Sequence, residues 1–237
     1  MIVLLREEGS SMDLNAGTVP TDQSQCRLLS LPAELRNRIW EYLLIQNTYT
    51  TRVCPVAYRY SAPTESTTRR RRFCANVLST CKQIQAEGTP ILYGENVFAA
   101  HPSLLAALPS FLLYTTPEKV RLPPVTCPRV AKLIRRYYIH VRLDTDPRFS
   151  KTQVEESFSG AKELEINVFQ SMYGSCDFSV LKLFEGIRGV GKVSIQGSLG
   201  DGKYADWLAN TMQLPCGTFV APYFERYVGG MPFWDAW

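Results

Sequence analysis

Leu28-Leu29-Ser30-Leu31-Pro32-Ala33-Glu34-Leu35-Arg36-Asn37-Arg38-Ile39-Trp40-Glu41-Tyr42-Leu43-Leu44 reads as an amphipathic helix with a marked start. Pro32 suits the first helical position, where its missing N–H costs nothing. Glu34 places a carboxylate in the first turn, where the helix dipole favours it. Leu35, Ile39 and Leu43 recur at intervals of four with Trp40 and Tyr42 beside them, while Glu34, Arg36, Asn37, Arg38 and Glu41 fill the other side. One face is therefore built for burial, either inside the chain or against a partner. Trp40 separates the two outcomes, since on the buried stripe it is core and on the surface it is an interface anchor.

Residues 1–26 are rich in Ser, Thr, Asn, Gly and Asp after a short apolar run and predict a mobile arm. That run has four apolar residues after Met1 and acidic residues follow at once, too short for a signal peptide or membrane anchor. Past the helix, residues 45–72 lose apolar periodicity, carry Pro55 and Pro63, and end in Arg69-Arg70-Arg71-Arg72. They read as an inserted loop.

Pattern returns with Val77, Cys81, Ile84 and Gly88, the face of a second helix from about Cys74 to Glu87. Thr89-Pro90 then opens a short helical turn through Tyr93 that Gly94 stops, and residues 96–99 suit a brief strand. Leu104, Leu105, Leu108 and Leu112 predict an apolar helix ahead of Pro123-Pro124.

The second half has another rhythm. Tyr137, Ile139, Val141 and Leu143 alternate with Arg136, Tyr138, His140 and Arg142, and the same period of two returns at Leu164, Ile166, Val168 and at Val193, Ile195. Helical segments are expected between them at 152–159 and 180–187, and after them at 204–213. Successive strands lie 166 − 139 = 27 and 195 − 166 = 29 residues apart. That spacing demands crossovers and hence a mostly parallel sheet. Leucine-rich repeats share such a period, although the L-x-x-L-x-L consensus is missing, so a small α/β sheet and a repeat both remain open. The aromatic tail from Tyr223 to Trp237 is expected to pack back on the sheet, with an exposed docking peptide as the other reading.

Two blocks together resemble a known group. Leu31-Pro32-Ala33-Glu34-Leu35-Arg36-Asn37-Arg38-Ile39-Trp40-Glu41-Tyr42-Leu43 is similar to the L-P-x-E-L-R-x-x-I-x-x-Y-L opening of fungal F-box-like proteins. Leu78 to Glu87, followed by Pro90-Ile91-Leu92-Tyr93-Gly94-Glu95-Asn96-Val97-Phe98, resembles that group's second signature. The resemblance implies an α+β chain: an N-terminal helical F-box-like module over 27–100, interrupted by the insert, then an α/β, leucine-rich-repeat-like recognition region over 101–237. In true F-box proteins the apolar face after L-P-x-E docks on the small adaptor of a cullin-based ubiquitin ligase, and the downstream region holds the substrate. Carried over residue by residue, the partner-binding candidates are Leu31, Pro32, Leu35, Ile39, Trp40, Leu43, Cys81 and Ile84. The alternative is a scaffold without a ubiquitin role, whose two helices pack on each other.

Catalytic chemistry finds little support. Gly186-Ile187-Arg188-Gly189-Val190-Gly191-Lys192-Val193 comes near a phosphate-binding loop, but Val193 stands where Ser or Thr should hold magnesium. The run also leads from a helix into a strand, the reverse of what phosphate binding needs. It reads as a glycine-rich turn. The two histidines, His101 and His140, lie far apart, and no metal or nucleophile signature accompanies them. No enzyme activity and no cofactor are expected.

The net charge of 26 − 22 = +4 is too small to imply nucleic-acid or membrane binding. Arg69, Arg70, Arg71 and Arg72 form the one concentrated basic patch, a candidate import signal without the aromatic residues that stack on bases. Seven cysteines with no C-x-x-C pair and no N-x-[ST] acceptor point to free thiols in cytoplasm or nucleus, with proteins as partners.

Overall fold

The computed structural model describes residues 26–46, 73–100, 111–113, 125–170, 178–200 and 202–223. The fold is a mixed α+β one. The expected arm, the Arg69–Arg72 run, most of the insert and the tail beyond Tyr223 lie outside the described residues. The chain divides into two compact units, Met1–Ile139 and His140–Trp237.

In the first unit, helix α1 (Ala33–Leu44) begins after Pro32. A 3-10 turn follows at Ala75–Ser79, then helix α2 (Lys82–Glu95) and strand β1 (Val97–Ala100). This corrects the expectation of one helix from Cys74 to Glu87 and a separate turn from Thr89. Cys81 is the break: its backbone is extended and its Sγ accepts from Ile84 N–H at 3.5 Å, so α2 is capped there. Pro90 sits inside α2. It has no N–H to give the Ala86 carbonyl, but both residues are on the exposed side of the helix, where that carbonyl is open to solvent and its loss from the ladder is tolerated.

Strand β2 (Phe111–Leu113) pairs antiparallel with β1, Phe98 opposite Leu113. The described end of the apolar segment expected as a helix over 104–112 is thus a strand, because the edge of β1 offers it hydrogen bonds that outweigh helical propensity. A four-residue helix, α3 (Pro128–Ala131), leads into β3 (Arg136–Arg142), whose first half runs parallel to β1.

In the second unit, the end of β3 is followed by helix α4 (Lys151–Phe158), β4 (Glu163–Phe169), helix α5 (Ser179–Lys182), β5 (Lys192–Gly197) and helix α6 (Lys203–Gln213). β4 and β5 are parallel in the register Leu164↔Val193 and Ile166↔Ile195. Just past β3, Leu143 N–H donates to the Phe169 carbonyl at the far end of β4, so these two strands also run the same way. Four strands are therefore parallel and β2 is the antiparallel exception.

The order β3-β4-β5 follows the sequence without reversal. Right-handed crossovers that all step in one direction carry their helices to one face. β4 shows the result in strict alternation: Leu164, Ile166 and Val168 are buried, while Glu163, Glu165 and Asn167 on the other face are half-buried. Val154, Phe158, Leu181, Phe184, Leu208 and Met212 from the helices and the turn after α5 are buried as well, and together with these β4 residues make up the apolar interior of the unit.

Helix α5 is shorter than the expected span over 180–187: past Lys182 the chain continues in tight turns, with Phe184 N–H donating to Leu181 O and Ile187 N–H to Phe184 O. A Cβ at Gly186 would stand 1.4 Å from the Glu155 carboxylate, so only glycine lets that side chain lie there. Further along the same run, Gly189 has φ +73 and a Cβ at Gly191 would approach the Lys162 carbonyl to 2.9 Å. The glycines serve close backbone approach, in agreement with their reading as a turn.

Candidate protein-docking surface

The two signature blocks meet as α1 against α2. Arg36 is the hub: its Nη2 donates to Glu87 Oε1 at 2.8 Å, and Nε lies 3.1 Å from Oε2. Its Nη1 donates to the carbonyls of Leu29 and Leu31, fixing the turn that precedes the helix. Glu87 also accepts from Trp40 Nε1 at 3.0 Å and from Gln83 Nε2 at 3.0 Å. Hydrogen bonds from Arg36, then from Trp40 and Gln83, hold its carboxyl down at about 2. In return the Glu87 carboxylate raises the Arg36 pKa.

Below this polar clasp lies an apolar core of Trp40, Leu44, Ile84 and Leu92, with Leu28, Leu29, Ile39, Leu43, Val77, Leu78 and Cys81 packed against it. Gly88 permits the approach of the helices, since a Cβ there would lie 2.9 Å from Leu44 and 2.5 Å from Leu78. Asn96 closes the far end. Its Nδ2 donates to the carbonyls of Leu44 and Leu92, at 2.7 and 2.8 Å, and its Oδ1 accepts from Gln46 N–H at 2.8 Å. One buried amide thereby satisfies the ends of both helices.

The candidate residues divide accordingly. Trp40 is fully buried and Ile84 nearly so, and both serve the internal core. Leu31, Ile39, Leu43 and Cys81 are half-buried. Pro32 is exposed, and Leu35 is 52% exposed. Tyr42, which was read only as a flanking residue, is 54% exposed.

Helix geometry explains the division. A step of four residues turns 40° past a full circle at about 100° per residue, so Leu35, Ile39 and Leu43 drift steadily around the helix. Leu43 has drifted into the α2 side. Leu35, Ile39 and Tyr42, spaced four and three, stay on one line. That line forms a partly exposed apolar stripe beside the buried one, flanked by exposed Glu34, Arg38 and Glu41. The i, i+4, i+7 spacing was the signal by which Tyr42 could have been singled out.

Elsewhere, His140 stands beside the Phe169 ring, with centroids 5.9 Å apart. Tyr204 donates to Glu185 at 2.7 Å, and burial, with that bond second, raises its pKa. Among the described residues no three His, Cys, Asp or Glu side chains cluster to hold a metal ion, and no helix is long and apolar enough to cross a membrane. The described cysteines, Cys26, Cys74, Cys81, Cys127 and Cys216, are free thiols. Comparison of the chain with protein-family models, curated proteins and solved structures returns no match.

Proposed function

We propose that this chain is a non-enzymatic, F-box-like protein-interaction module of the cytoplasm or nucleus. Its α1–α2 pair docks a protein partner through Leu35, Ile39 and Tyr42, and the parallel β-region presents a second protein. The small adaptor subunit of a cullin-based ubiquitin ligase is the partner that the two sequence blocks favour. One observation carries the reading: α1 and α2 complete their own core with Trp40, Leu44, Ile84 and Leu92, yet Leu35 and Tyr42 remain outside it. Large apolar residues left on one line of a helix whose core is already filled suit a helix-mediated interface.

The half-buried contribution of Ile39 and Leu43 to the internal core supports the other reading, a scaffold whose helices serve mainly each other. Titration of purified chain with the purified adaptor separates the two. Saturable binding that is lost in the Leu35→Asp, Tyr42→Asp double variant, while that variant still unfolds cooperatively and keeps its helical circular dichroism, supports docking. Absence of binding to the wild type removes the ligase role and favours the scaffold.

A further inference from the structure

We draw no further inference here: the strongest candidate, the side-chain cluster of Phe178, Tyr204, Trp207 and Tyr223 beside Glu185 at the start of α6, packs its rings on one another with centroids 5.1–5.8 Å apart and so fills the space a ligand would need, and nothing in the structure shows what covers its half-exposed rim.

Discussion

Glu87 shows how one carboxylate can join two sequence blocks. It receives Arg36, Trp40 and Gln83, and those bonds hold its pKa at about 2 rather than at its ordinary value of 4.5. A carboxyl whose folded pKa is lowered contributes stability above its unfolded pKa and loses it as pH falls toward the folded one. Stability of the wild type is therefore expected to fall between about pH 4.5 and pH 2, and acid titrations of the denaturant midpoint should show this loss flattened in Glu87→Gln. At neutral pH, Glu87→Gln leaves the Arg36 guanidinium without its counter-charge and should cost about 1–3 kcal/mol. Asn96→Ala strands the Leu44 and Leu92 carbonyls and should cost a similar amount, read from the same urea curves. Neither pairing was legible in sequence. Arg36, Glu87 and Asn96 stand inside recognisable motifs, but nothing local tells that residues about fifty positions apart face each other.

At the scale of elements, periodicity identified what one face decides and missed what contacts decide. β3, β4 and β5 were legible because alternating apolar and polar residues mark a strand. Only β4 keeps the strict buried alternation, however: Tyr138 of β3, expected on the polar side, is buried with Tyr137 and Ile139, and β5 is only half-buried. The capped start of α4 follows a simple rule as well: Ser150 accepts from Gln153 N–H while the Gln153 side chain reaches back to Ser150 N–H. Ser150→Ala should cost about 0.5–2 kcal/mol in thermal or denaturant unfolding. The break at Cys81, the passage of α2 through Pro90 and the strand at Phe111 were not legible, since each depends on a cap or a neighbour supplied by the fold. Gly197 is a further case. Its φ is +112, and a Cβ there would stand 1.9 Å from the Val168 carbonyl. Gly197→Ala is accordingly expected to destabilise the second unit by about 1–3 kcal/mol, visible as faster amide exchange at the end of β4.

Across the whole molecule, two kinds of architecture share one chain: a helical pair closed by a polar clasp, and a parallel β-region whose strands add in sequence order. The sequence pointed to both, along with the direction of the strands. It did not show how α1 divides its faces, because equal four-residue intervals made Leu35, Ile39 and Leu43 look equivalent, whereas 3.6 residues per turn make them differ. The central claim is that α1 uses Trp40 and Leu44 to hold its own unit and carries Leu35 and Tyr42 on a more exposed line beside that core, the line proposed for docking. Urea unfolding of three chains measures this most directly, without any partner present. Relative to wild type, Trp40→Ala should lose about 3–5 kcal/mol, while Leu35→Asp with Tyr42→Asp should lose no more than about 2 kcal/mol, from helix propensity and half-covered apolar surface. A double variant that loses as much stability as Trp40→Ala would place Leu35 and Tyr42 in the core and contradict the account.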